Sequence, residues 1–273
     1  MGDIGEYESY LRASGVKTWR ARMGYLRRLR EAYGKPLLEL SASEINDWLV
    51  DLHINKPSRR TVVAYVKHCL RHLNAGEDPP ALKGIGVVKN AKRSRVRRPE
   101  DLLTSAELRR FFDAFTDVDL RAYALLLYGT GARPGEILAL RYSDTSIKEK
   151  AGKRYVQVEI PDSKTGAPRI ALSAKRDVVK WVKTWLDSHG GKHEWLFPSP
   201  KGSGPRGHDS IFDAFKRAAK AAGIEKRIYP YLLRHQRATE LYEAPAAIRD
   251  KAMGWITGSS QWSNYQHLNN DDL

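Results

Sequence analysis

The sequence predicts a mainly α-helical chain that carries one small β-sheet and is divided into two domains. Three observations predict it. Apolar residues recur at helical spacing through most of the 273 residues. Strand-like alternation marks two short runs, 155–160 and 169–172. Between two apolar-patterned regions lies AKRSRVRRPE, residues 91–100, which holds five cations and too few apolar groups to join a core. The expected layout is a helical domain at 1–90, a basic linker at 91–100 and a second domain at 101–273.

In the first domain, Trp19, Met23, Leu26 and Leu29 follow one helical stripe, leaving Arg22, Arg27 and Arg28 to share another face. Ser41 and Glu44 have the spacing of a capping box ahead of Ile45, Trp48 and Leu49. Pro57 opens a further helix with Val62, Tyr65, Val66, Cys69, Leu70 and Leu73 as its apolar stripe, and Arg59 and Arg60 near its start. A break is expected from Gly76 to Gly86, around Pro79 and Pro80. In the second domain Thr104 and Glu107 form another capping box before Leu108, Phe111, Phe112 and Phe115. YVQVEI and RIAL read as a hairpin with Lys164 near its tip. Helical patterns resume at 175–186, 211–222 and about 232–242.

Composition narrows the function. Lys and Arg number 47 against 32 Asp and Glu, a formal net charge of +15. Such a surplus favours a polyanionic partner, because cations that neutralise phosphates release condensed counterions. Residues 1–100 hold 20 Lys and Arg against 11 Asp and Glu, a net of +9, so the shorter part is the more basic per residue. One cysteine, Cys69, excludes an intrachain disulfide and a Cys-based zinc cluster. His189 and His193 lie beside Gly190 and Gly191 with no further ligands in sequence, and read as loop residues. Neither a secretory leader nor a membrane span is expected, which predicts a cytoplasmic protein.

Four segments carry chemistry. In GTGARPGEILAL, 129–140, Arg133 precedes Pro134 at a turn-to-helix junction, with its guanidinium expected to project freely. A planar guanidinium gives a phosphate two parallel hydrogen bonds. Lys164 in the hairpin turn can deliver a proton to a leaving oxygen. In PYLLRHQRATEL, 230–241, Tyr231 and Arg234 are three apart and so share a helical face, which Arg237 continues; His235 is expected to point elsewhere. In MGWITGSSQWSNYQHL, 253–268, Trp255 offers one N–H donor, and Tyr265 follows ten residues later in a Gly-Ser-rich stretch. Taken singly, each is as well read as a surface or packing residue.

Their order resembles the tyrosine recombinase (phage integrase) family. The family's TGxRxxE pattern is matched at Thr130 to Glu136, its hairpin lysine at Lys164, its HxLRH box at Tyr231 to His235, its LGH or LGW box at Met253 to Trp255, and its nucleophile at Tyr265. The GW form is most similar to archaeal or archaeal-virus integrases. The resemblance implies a two-domain DNA clamp acting on double-stranded DNA without metal or cofactor. Tyr265 would attack the scissile phosphate, Arg133 and Arg234 would stabilise the developing charge, and Trp255 and Tyr231 would add hydrogen bonds. Lys164 would protonate the leaving 5′ oxygen, and a 3′-phosphotyrosyl intermediate would store the bond energy. Arg27, Arg28, Arg59, Arg60, Arg93, Arg95, Arg97, Arg98 and Arg237 are the expected DNA contacts. Self-association into a tetramer on paired sites is implied, in a prokaryotic or viral setting.

The pattern departs from the family at two places. Tyr231 stands where the family has histidine, and a phenol of ordinary pKa about 10 is a poor base at neutral pH. Eight residues follow Tyr265, so the C-terminal helix that many relatives exchange is expected to be missing; either other surfaces support assembly or the chain is truncated. Type IB topoisomerase-like strand passage, a DNA-binding regulator without catalysis, and a nucleic-acid packaging protein stay open as alternatives.

Overall fold

The computed structural model describes residues 4–54, 56–86, 99–161, 168–202 and 204–255. Contacts divide the chain into two units, Met1–Arg95 and Val96–Leu273.

The first unit is helical: α1 (Ile4–Ala13), α2 (Trp19–Tyr33), α3 (Ala42–Asp51), α4 (Lys56–Leu73) and α5 (Ala81–Gly84). The amphipathic stripes read from the sequence meet in one core: Met23, Leu26 and Leu29 from α2, Ile45, Trp48 and Leu49 from α3, and Val62, Val66, Cys69 and Leu70 from α4. The Ser41 capping box forms, with the Glu44 N–H donating to Ser41 Oγ at 3.2 Å and Glu44 Oε2 accepting from the Ser41 N–H at 2.8 Å. The expected break from Gly76 to Gly86 contains α5. Pro79 and Pro80 start that short helix rather than prevent it, because proline is tolerated in a first turn, where its missing N–H has no partner to lose.

The second unit comprises α6 (Ser105–Asp113), α7 (Val118–Thr130), α8 (Pro134–Leu138), β1 (Thr145–Lys150), β2 (Lys153–Ile160), β3 (Arg169–Ser173), α9 (Arg176–His189), α10 (His208–Ala221), α11 (Pro230–Glu240) and α12 (Ala246–Met253). The strands form an antiparallel sheet in the order β1-β2-β3. β2 and β3 are the expected hairpin strands, and β1 is an edge strand that the sequence reading missed. Val156, Val158, Ile160 and Ala171 face the core, while Ile170 and Leu172 face out. α7 packs against α8, α9, α11 and β3. It is apolar nearly all round, as a helix enclosed on most sides must be. Phe111, Phe115, Tyr123 and Phe215 meet edge-on around it, in the geometry the ring quadrupole favours.

His189 corrects its sequence reading. It ends α9 rather than lying in a loop, is buried, stacks on Tyr142 at 4.8 Å, and places Nε2 2.9 Å from the Trp195 carbonyl oxygen. Among the described residues no helix is long and apolar enough to cross a membrane.

Candidate active site

Two glycines at positive φ set the site. Gly131 ends α7 at φ 63°, turning the chain so that Arg133 begins α8. A Cβ at 131 would lie 2.8 Å from Met253 Sδ, so the first box packs directly on the end of α12. Gly254 ends α12 at φ 62° and leads into Trp255, whose backbone N–H donates to the Asp250 carbonyl at 2.8 Å. Trp255 is half-buried against the core of this unit.

Arg234 joins these segments. Its side chain is almost wholly buried in α11. Nη1 donates to the Gly131 carbonyl, and Nη2 donates to the Met253 carbonyl at 2.9 Å. One guanidinium thus satisfies the carbonyl at the end of α7 and one from the last turn of α12. Its planar fork reaches both without rearrangement.

Arg133 does not project freely, as its position at a helix start had led us to expect. Glu136 binds it: Nη1 donates to Oε1 at 2.6 Å, and the Arg133 backbone N–H donates to Oε2 at 2.8 Å. Glu136 stands three residues on, so this is a capping arrangement with a charged first partner. Arg169, at the start of β3, donates through Nη2 to the same Oε2 at 2.8 Å. Burial pushes the Glu136 carboxyl upward, but the Arg133 N–H and the two guanidiniums outweigh it and hold it below the usual carboxylate range.

Tyr231 is exposed in the first turn of α11. Its ring meets His235 edge-on at 5.0 Å, so His235 does not point away from Tyr231 as expected. The two are one helical turn apart, a spacing that brings side chains together. Arg237 binds Glu240 at 3.2 Å and is half-buried; Glu240 in turn holds Lys175 at 3.1 Å and accepts from the Tyr128 hydroxyl. Burial, followed by the Glu240 carboxylate, raises the Tyr128 pKa well above the ordinary phenol value.

Of the expected catalytic residues, Arg133, Arg234 and the Gly254-Trp255 turn are brought together through these contacts. Lys164 and Tyr265 lie outside the described residues, as do Arg93, Arg95, Arg97 and Arg98. In the first unit Arg28 and Arg60 are exposed, Arg59 is half-buried, and Arg27 is exposed and paired with Glu8. Glu136 entered the sequence reading only as the last residue of the TGxRxxE match, with no role given, and Arg169 was not singled out. Glu136 had a signal in its capping spacing from Arg133. Arg169 had a fainter one, since strand alternation puts it on the inward side with Ala171.

Residues 101–271 match the profile of the phage integrase family. Over 170 residues the chain is 34% identical to the tyrosine recombinase XerD of Corynebacterium glutamicum, covering 59% of this chain and 53% of that protein. It therefore spans about half the length of that relative. A tyrosine recombinase of Thermosipho africanus is 24% identical over 286 residues, covering 97% of this chain and 93% of its own. Among solved structures, a lambda integrase tetramer bound to a Holliday junction is similar at TM-score 0.70, with 21% identity over 97% of this chain and 76% of that one. The XerH recombinase in a post-cleavage complex with difH is similar at TM-score 0.69, with 17% identity over 98% of this chain and 81% of that one. At these identities the structural likeness shows the fold.

Proposed function

The chain belongs to the phage integrase family, and from that premise we propose that it is a site-specific DNA recombinase that cuts and rejoins strands through a 3′-phosphotyrosyl intermediate. The observation that carries the reading is the buried Arg234, whose two hydrogen bonds join the Gly131 turn before Arg133 to the Met253 carbonyl before Trp255. Three motif segments distant in sequence are gathered by one arginine, which supports their serving one pocket.

In this reading the Tyr265 phenol gives up its proton to water, and its oxygen forms a bond to the scissile phosphorus as the bond to the 5′ oxygen breaks. Arg133 and Arg234 offset charge building on the non-bridging oxygens, with Trp255 and Tyr231 as hydrogen-bond donors. Lys164 gives its proton to the departing 5′ oxygen. A 5′-hydroxyl from another strand then reverses the step, so the number of phosphoester bonds is unchanged and no nucleotide is consumed. The net charge of +15 supports double-stranded DNA as substrate, with Arg27, Arg28, Arg59, Arg60, Arg93, Arg95, Arg97, Arg98 and Arg237 on its backbone. Assembly as a tetramer on paired sites, in the cytoplasm of a prokaryote or a virus-infected host, completes the proposal.

A nicked substrate that sheds its 5′-hydroxyl fragment tests it. Wild-type protein should become covalently attached to DNA, peptide mapping should place the adduct on Tyr265, and Tyr265→Phe should bind DNA and form none. An adduct on another tyrosine would refute the assignment of the nucleophile. DNA binding with no adduct under any condition would favour the regulator reading.

A further inference from the structure

We infer that Arg169 is a positioning residue for strand cleavage, holding Arg133 in register through Glu136 and the Trp255 turn in place through Gly254. The inference rests on the recombinase reading above.

Glu136 offers one carboxylate to two arginines. Oε1 takes Arg133 Nη1 at 2.6 Å; Oε2 takes both the Arg133 backbone N–H and Arg169 Nη2, each at 2.8 Å. Arg169 thereby fixes the rotation of the carboxylate, and the carboxylate fixes the Arg133 guanidinium. The Arg169 side chain is only 12% exposed, so this contact is little weakened by solvent. On its other side the guanidinium lies against Gly254. A Cβ at 254 would fall 2.5 Å from Arg169 Nε and 2.8 Å from Cζ, so any side chain there would push the guanidinium out of its present place. Gly254 is the left-handed residue from which Trp255 departs. Arg169 therefore touches one segment bearing a phosphate-binding arginine and another bearing the proposed indole donor. Its place on β3 ties both to the sheet through the Ile160–Arg169 pairing.

A lysine at 169 could still reach Glu136, but its point charge has no flat face to lay on Gly254. A small displacement of reacting groups costs cleavage steeply, about 10²-fold for an ångström. Arg169→Gln should thus cleave about 10²-fold more slowly at unchanged DNA affinity, with Arg169→Lys between it and wild type.

The pH profile separates positioning from simple bracing. Glu136 is faced by Arg133 from its own segment and by Arg169 from β3, while His208 of α10 lies beside Gly135 on the adjoining turn. With Arg169 gone, burial of the carboxyl is opposed by fewer donors and its protonation moves upward. Protonated Glu136 holds Arg133 poorly, so Arg169→Gln should lose cleavage on acidification where wild type does not. Adding Glu136→Gln should abolish that extra acid limb.

The experiment is single-turnover cleavage of the nicked substrate by wild type, Arg169→Gln, Arg169→Lys and Arg169→Gln/Glu136→Gln across pH, with DNA affinity measured alongside. Slow cleavage with intact binding and a new acid limb supports the inference. Wild-type cleavage with an unimpaired Arg169→Gln, or a slowed one with an unchanged pH profile, overturns it and leaves the recombinase reading standing. If wild type forms no adduct, the recombinase reading fails and the inference with it. Should Arg169→Gln fail to fold, Arg169→Lys carries the same comparison: its cleavage must fall below wild type, and equality overturns the inference.

Discussion

Arg234 donates a hydrogen bond to the carbonyl of Gly131, a residue 103 positions earlier in the chain. The residue proposed to stabilise phosphate charge is also a structural brace. Replacing it with Gln should abolish cleavage and destabilise the fold by about 1–3 kcal/mol, the cost of leaving buried carbonyls without donors. Urea unfolding beside a cleavage assay measures both. A full loss of cleavage with no shift in the unfolding midpoint would show that the brace is dispensable.

Glu136→Ala should be more damaging than Glu136→Gln. The alanine leaves the Arg133 and Arg169 guanidiniums facing a cavity without their shared carboxylate, and breaking a buried pair in this way costs about 3–5 kcal/mol. The amide loses the charge as well but keeps one accepting oxygen and the side-chain volume. Equal denaturation midpoints for the two variants would show that the retained oxygen and volume add nothing once the charge is gone.

Tyr231→Phe should fold as wild type does, since the ring is exposed and its edge-on contact with His235 does not need the hydroxyl. Cleavage should slow without vanishing, as expected for loss of one hydrogen-bond donor. Complete loss in a folded, DNA-binding variant would give Tyr231 a larger part.

Glu44 sets an acid limit for the first unit. Its hydrogen bond with Lys35, then those from Ser41, hold its carboxyl down to about 2. The folded value lies below the ordinary one, so the stabilisation is complete above about pH 4.5 and is lost as pH falls toward 2. Helical circular dichroism followed across that window should show Glu44→Gln less sensitive to acid than wild type. Parallel curves would exclude the capping carboxylate as a cause.

Cys69 should report unfolding. Burial in α4 pushes its thiol up to about 12, so at neutral pH the folded protein holds almost no thiolate. Labelling by a thiol reagent should be slow in native protein and accelerate along the urea transition. Rapid labelling without denaturant would mean that the helix opens locally.

The amphipathic elements were legible because one side of each meets water. α2, α3, α4, α6 and the β2–β3 hairpin all announced themselves through spacing, caps or alternation. α7 did not. It is enclosed by neighbours, so Leu120 and residues 122–127 carry no polar face to set a period. β1 escaped notice because TSIKEK is an edge strand whose exposed residues are charged. The catalytic boxes were readable as ordered motifs, but their connections were not. The three-residue spacing could have revealed the Glu136 cap on Arg133, although the sequence reading left Arg133 projecting freely. Spacing gives no hint that Arg169, from a strand, shares the same oxygen, because that meeting is made by the tertiary fold.

Because Arg234 serves both the pocket and the packing, evolution cannot discard it for one purpose alone. A descendant of this chain that gave up strand cleavage and kept DNA binding would be expected to retain the buried arginine, as its loss would cost the fold. The history of such a lineage would be written instead at positions with a single duty, the exposed Tyr231 and the proposed nucleophile Tyr265. The presence of an arginine at 234 is therefore a poor guide to whether a descendant still cuts DNA.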